Sequence, residues 1–348
     1  MSAVGSSNPG YVVARVRARR GQLYGDEEYR KLVRMSPAEI ARFMEESTYE
    51  SAINALGSRH GGVDLVEYAL NQNLAVQFEA ILEWSEGELY DLVARYLRKF
   101  DAWNLKTVIR GVYTGASREA VEADLIRAGE FDDRQIRRLL DADSIEAVVE
   151  AVEETIYDEP LRAAYPAFEE SDVLVPLENA VDRAFYDRLL TGLPGGEPVR
   201  QYEAFLEAEV DFRNAANALR LARSGAEIDP AEYFIDGGQL FTRTSLARLA
   251  RNLDELVEYV AGSQYADDLG PALRELEEAD SLIAFEQATD AALLAYADKL
   301  GTIHPVSVTP VISYILAKER EVENIRAIAR GKEAGLSADA IESELVIT

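Results

Sequence analysis

The sequence has no cysteine and only two histidines, His60 and His304, among its 348 residues. The first absence excludes disulfides, thiol catalysis and cysteine-ligated zinc or iron–sulfur centres. The second argues against a histidine-rich metal centre. Lysine is almost as scarce: six (31, 99, 106, 299, 318 and 332) stand beside thirty arginines. There is no G-x-x-x-x-G-K-[ST] phosphate loop, no G-x-G-x-x-G after a strand, no H-E-x-x-H pair and no G-x-S-x-G elbow. No catalytic residue, cofactor or metal is therefore expected. Long apolar runs are missing too. The longest uncharged stretch, Leu300–Ala317, contains His304, Pro305, Ser307, Thr309, Pro310 and Ser313, and reads as a loop leading into a helix. The opening residues carry no apolar core of the signal-peptide kind. A soluble chain without a transmembrane segment is the expectation.

What the chain does have is acid. Its 63 acidic against 36 basic side chains give a net charge of −27. That excess disfavours nucleic acid, whose phosphates need a basic footprint, and disfavours anionic lipid for the same reason. Self-repulsion of this size is tolerable where salt screens it, the Debye length being only ~3 Å at ~1 M. High acid with little lysine thus fits a protein adapted to concentrated salt. The pairs Glu153-Glu154, Glu169-Glu170 and Glu277-Glu278 imitate acid–base dyads but read as solvated faces in so acidic a chain. Hydrophobic residues still make up 48%, enough for a sizeable core.

Helical periodicity dominates. Leu89–Gly111, Glu39–Met44, Val63–Leu82, Ser144–Ile156, Leu246–Val260 and Leu282–Leu300 all carry apolar residues at three- and four-residue steps. Ser36-Pro37-Ala38-Glu39 is a capping box, and Ser117, Asp229 and Ser337 are further helix starts. Strand alternation is absent, so the fold class is all-α.

A long repeat organises these helices. The acids Asp101, Asp211 and Glu321 are followed at +3 by Asn104, Asn214 and Asn324, and at +9 by Arg110, Arg220 and Arg330. Glycines follow at 115, 225 and 335, and every column is offset by 110. Tyr49, Tyr157 and Tyr265, 108 apart, form a second marker, expected to close a helix before acidic residues. Three tandem helical domains are expected at about 19–128, 129–238 and 239–348, with residues 1–18 as an added helical segment. Joints are expected near Gly129 and Asp236-Gly237-Gly238. The glycine after each Arg suits a left-handed helix cap. The repeated polar groups allow two readings. Either Asn satisfies buried backbone and the acid pairs with an arginine of a neighbouring helix, or three equivalent polar surfaces receive a partner. Tyr11-Val-Val-Ala-Arg15-Val-Arg17-Ala-Arg19-Arg20 is the densest basic cluster; it either pairs with the chain's own acids or meets an acidic neighbour. Trp84 and Trp103 read as packing residues.

From about residue 9 to its end, and most specifically at three places, the sequence resembles the C subunits of archaeal A-type ATP synthases, relatives of the d subunit of the vacuolar ATPase. These are Tyr11–Ala18, Arg98–Gly111 with its Phe-Asp-x-x-Asn-Leu-Lys stretch, and Tyr314–Lys332 with Lys-Glu-x-Glu-x-Glu-Asn-Ile-Arg. The middle copy keeps Asp211, Asn214 and Arg220 but lacks the Leu-Lys after its Asn. The resemblance implies a funnel of three similar domains with pseudo-threefold arrangement. It implies as partners the membrane proteolipid ring and the central-stalk subunits, with torque passed between them and no catalysis in this chain. It also implies a peripheral location at the cytoplasmic face of the membrane. A soluble helical scaffold with unrelated partners is the alternative.

Overall fold

The computed structural model describes residues 7–224, 229–279, 282–342 and 345. Among them there are helices and no strands. In chain order these are α1 (Pro9–Arg20), α2 (Asp26–Leu32), α3 (Pro37–Met44), α4 (Glu50–Leu56), α5 (Gly62–Trp84), α6 (Glu88–Leu97) and α7 (Lys99–Thr114). They continue with α8 (Arg118–Ala123), α9 (Asp133–Leu140), α10 (Ile145–Ala151), α11 (Asp158–Ser171), α12 (Val175–Leu190) and α13 (Glu197–Ser224). A 3-10 turn (Pro230–Tyr233) precedes α14 (Arg243–Leu249), α15 (Leu253–Ala261), α16 (Ala266–Ala279), α17 (Leu282–Ile303), α18 (Thr309–Glu333) and α19 (Ala338–Glu342). No described helix is long and apolar enough to cross a membrane.

Local chemistry explains where the helices begin and end. The Ser36 N–H donates to the Glu39 carboxylate at 2.8 Å, which closes the capping box, and Pro37 occupies the first turn. Apolar periodicity runs unbroken through Leu246–Val260, yet two helices form there. The Asn252 side chain accepts from the Glu255 N–H and so caps a fresh start. Similarly, Leu89–Gly111 divides at Arg98 into α6 and α7. Gly115 and Gly335 adopt φ of 68° and 75°, and the next residues, Ala116 and Leu336, return N–H bonds to Gly111 and Gly331. That is the glycine-terminated cap expected of the repeat; Gly225 lies outside the described residues.

Packing yields two compact units. The first comprises Met1–Thr107, Ser117–Phe131 and Pro305–Thr348, the second Val108–Ala116 and Asp132–His304. In the first unit α5 is central, with α18 against it and α3 and α4 also packed on it. Buried Val66, Leu70, Phe78 and Ile81 of α5 and Ile312, Ile315, Val322 and Ile325 of α18 supply the core. The twelve-residue α1 is too short to hold itself together in water. Its buried Val12, Val13 and Val16 fix it on α18 and α5, at ~1.5–3 kcal/mol per side chain removed from solvent. In the second unit α13 packs on α17, α16 on α17 and α11 on α12, around Phe205, Phe212, Leu219 and Phe285.

Candidate functional site

The three repeated helices α7, α13 and α18 bury their acid and Asn: Asp101, Asn104, Asp211, Asn214, Glu321 and Asn324 are all less than 5% exposed. A buried carboxylate needs compensating donors. The donors turn out to be backbone amides rather than arginines. Asp101 accepts from the N–H groups of Glu130 and Phe131 at 2.8 and 3.0 Å, and Asp211 from those of Gln239 and Leu240 at 2.8 and 2.9 Å. Both segments immediately follow a joint glycine. A Cβ on Gly129 would stand 2.0 Å from Asp101 Oδ1, and one on Gly238 2.1 Å from Asp211 Oδ1. Only glycine leaves room for the carboxylate to sit on the backbone of the joint.

Three residues further along the helix, Asn clamps the segment before the glycine. Asn104 donates to the Ile126 carbonyl and accepts the Ile126 N–H, both at 2.8 Å; Asn214 does the same to Ile235 at 2.8 and 3.0 Å. Each joint is thereby held on both sides of its glycine by one helix. Desolvation raises the Asp101 carboxyl to about 6 despite the two amides that favour its ionised form, and raises Asp211 for the same reason.

The third copy solves the problem differently. Glu321 has one more carbon than Asp, and its Oε1 accepts the Tyr24 N–H at 2.7 Å. Its Oε2 accepts the Tyr49 hydroxyl at 2.7 Å and the buried Lys318 ammonium at 2.5 Å. Lys318 also donates to the Tyr49 oxygen at 2.8 Å. Burial lowers the Lys318 pKa, opposed by Glu321, and raises that of Tyr49, with Glu321 adding to the rise. Asn324 shares a hydrogen bond with the Tyr29 hydroxyl.

The two sequence markers therefore meet in space. Tyr49 bonds Glu321, and the Tyr265 hydroxyl bonds Asp211; Tyr157 is buried as well. Contrary to the sequence expectation, the tyrosines open helices rather than close them. Tyr49, Tyr157 and Tyr265 directly precede α4, α11 and α16. The cause is a turn two residues upstream. Ser47, Thr155 and Ser263 each donate a hydroxyl back to the carbonyl three residues earlier and accept the tyrosine N–H. This Ser/Thr-x-Tyr signal was present in all three copies but concealed by conservative exchange.

The repeated arginines stay at the surface. Arg110 pairs with Glu178 at 2.5 Å, Arg220 with Glu286 at 2.6 Å, and Arg330 with Glu67. Those glutamates lie in a shared hydrophobic-Glu-x-Ala motif: Val66-Glu67-Tyr68-Ala69, Leu177-Glu178-Asn179-Ala180 and Phe285-Glu286-Gln287-Ala288. None of the three stands out by residue type in so acidic a chain. The exchanges share a direction along the sequence: Arg110 of the first copy meets the second, Arg220 of the second meets the third, and Arg330 of the third meets the first.

Outside the joints, Glu153, Glu154, Glu169 and Glu170 are exposed, while the Glu277-Glu278 side chains lie outside the described residues. His60 packs edge-on to Tyr68 with ring centroids 4.5 Å apart. Trp103 is 45% exposed rather than packed away. Among the described residues no cluster of three or more His, Asp or Glu could hold a metal ion.

Comparison with known proteins converges on one family. The profile described as ATP synthase (C/AC39) subunit matches residues 12–344. The chain is 82% identical over 348 residues to the C subunit of the A-type ATP synthase of Halorubrum lacusprofundi, covering 100% of both chains. It is 70% identical over 347 residues to that of Haloferax volcanii, again with 100% of both covered. With the protein of the same name from Methanococcoides burtonii it shares 35% identity over 348 residues, covering 98% of this chain and 95% of the other.

Proposed function

The chain belongs to the ATP synthase (C/AC39) subunit family, and from that membership we propose that it is a non-catalytic rotor component of an A-type ATP synthase. It links the membrane proteolipid ring to the central-stalk subunits and passes torque between them, at the cytoplasmic face of the membrane and through protein contacts alone. In this reading the copies at about 19–128, 129–238 and 239–348, preceded by the segment 1–18, surround a pseudo-threefold axis and form a funnel.

One observation carries the proposal: the direction of the joint contacts. The acid of the second copy holds the tyrosine of the third, and the acid of the third holds the tyrosine of the first. A linear array of repeats leaves its end copies without equivalent neighbours. Here the last copy engages the first through the same residue types. We read these two links as parts of the proposed collar, a form that suits an axle on a ring. The roles of Asp101, Asn104, Asp211, Asn214, Glu321 and Asn324 follow as joint stiffeners, because buried charge-assisted hydrogen bonds resist shear better than exposed ones. Arg110, Arg220 and Arg330 guide the same contacts from outside.

The test is reconstitution at high salt. Purified chain is mixed with stalk subunits and, separately, with detergent-solubilised proteolipid ring, and complexes are resolved by size exclusion. Co-elution with both is expected; failure with both overturns the rotor role.

A further inference from the structure

The outer face of the added helix α1 is basic and aromatic. Its inner face is spent on α18 and α5, while Tyr11, Ala14, Arg15, Arg17 and Ala18 face outward. Arg19 donates to the Gln77 carbonyl at 3.1 Å and Arg20 bonds Ser313. Arg15 and Arg17 make no ion pair among the described residues, although the chain has 63 acids to offer. The Arg15 guanidinium instead sits 4.7 Å from the ring centres of both Tyr11 and Trp84, and Arg19 lies 4.2 Å over Trp84. The stacked arginine is held in place, with its in-plane N–H groups available to a carboxylate. On the same helix's N-terminal side, Val306 is 63% exposed and reaches to 3.8 Å of where a Gly10 side chain would start. Tyrosine, tryptophan and arginine are the residue types that dominate protein–protein contacts.

We propose that this outer face of α1 binds an acidic segment of another protein in the complex, with Arg15 and Arg17 receiving its carboxylates and Tyr11 and Val306 packing on its apolar side chains. The proposal rests on the rotor reading and deepens it. Charge complementarity names the occupant: a basic, aromatic-backed face on a chain of net charge −27 selects carboxylates. It does not select a membrane, because two unpaired arginines are far short of a polybasic patch and the rest of the chain is repelled by anionic lipid. Close bidentate contacts and stacking also persist in salt that screens longer-range attraction. The helix lies outside the threefold repeat, so it gives a partner one distinguished position among three similar ones.

The experiment uses the whole complex. A photo-crosslinking amino acid is placed at Ala14 or Ala18 of the full chain, the complex is isolated through a tag on a different protein of the assembly, and crosslinked peptides are sequenced. Crosslinks to a Glu/Asp-rich peptide of another protein are expected; crosslinks to lipid, to a peptide without acids, or to this chain alone overturn the proposal. In parallel, Arg17→Glu, which disturbs no ring stack, and Arg15→Glu are carried into the complex. Each should lower the retained fraction roughly tenfold under dilution, with the circular dichroism and melting of the isolated chain unchanged for Arg17→Glu. Wild-type retention of Arg17→Glu together with Arg15→Glu refutes the α1 contact. If the unsubstituted chain itself fails to co-purify with any ATP synthase component, the rotor reading fails instead.

Discussion

Replacing Gly129 by alanine should unseat the Asp101 carboxylate. The new Cβ would lie 2.0 Å from Oδ1 and 2.4 Å from Cγ, so the carboxylate must withdraw by about 1–1.5 Å to reach ordinary contact. Its hydrogen bonds to the Glu130 and Phe131 amides are 2.8 and 3.0 Å long, and a movement of that size breaks both. Hydrogen bonds to a charged group contribute about 1.5–3 kcal/mol each. Gly129→Ala is therefore expected to destabilise the protein by about 3–5 kcal/mol. Asp101→Ala removes the same two bonds and should cost about as much. The combination leaves the methyl group room and has no bonds left to lose. The double variant should thus resemble either single one, a coupling of about 3–5 kcal/mol. Urea unfolding followed by far-UV circular dichroism in ~1 M KCl measures all four corners of the cycle. Gly61→Ala serves as control, since a Cβ there meets nothing within 4 Å. Additivity of the two single effects to within ~0.5 kcal/mol would refute the seat described for the carboxylate.

The same carboxyl predicts a pH dependence. Its folded-state value of about 6 exceeds the ordinary 3.8, so the folded protein binds the proton first and the burden of burying the ionised form is relieved as pH falls from about 6 to 4. Relative to Asp101→Asn, the unsubstituted chain should gain on the order of 2 kcal/mol between pH 7 and pH ~4.5, read from paired urea titrations; a flat difference contradicts this. Lys318→Met leaves the Glu321 carboxylate buried without its cation and should cost about 3–5 kcal/mol in the same assay. A loss below ~1 kcal/mol would mean that the pair is not closed in solution. Arg110→Ala and Arg220→Ala remove half-exposed partners and should change stability by no more than ~1 kcal/mol, less as salt rises. Asn104→Leu strands the Ile126 N–H and carbonyl and should cost about 2–4 kcal/mol by thermal or urea unfolding, while altering no chemical activity of the chain.

The columns at 101, 211 and 321 were legible because identical spacing survives divergence. Their partners were not, because a repeat reports which residues are equivalent and is silent on which copy each one touches. Asp101 could be recognised as polar on an apolar helix; that it would take amides across Gly129 depends on the chain returning 29 residues later, at Glu130. The expected acid–arginine pairing failed for a related reason. A short Asp at a close backbone crossing is satisfied by N–H groups, and the long arginines reach outward to Glu67, Glu178 and Glu286 instead. Asn252 divides an unbroken apolar pattern because a side-chain cap outweighs the continuing periodicity. The turns at Ser47, Thr155 and Ser263 exchange Ser for Thr without loss of the hydroxyl, and a search for identical letters passes over them.

The composition of the first unit has a consequence for how the molecule is made. Its central helix α5 is synthesised before the second unit, while α18, which covers one face of it, emerges only after that unit. At ~5–20 residues per second, the apolar side of α5 waits on the order of ten seconds or more for its cover. The contact that finishes the fold, Glu321 with Tyr24 and Tyr49, joins residues 297 and 272 positions apart and belongs among the slowest to form. During that interval the α18 of a second nascent chain fits the same face, so crowded synthesis favours exchanged dimers. Prompt handover to a chaperone, or rapid assembly, is how a cell would keep each chain closed on itself.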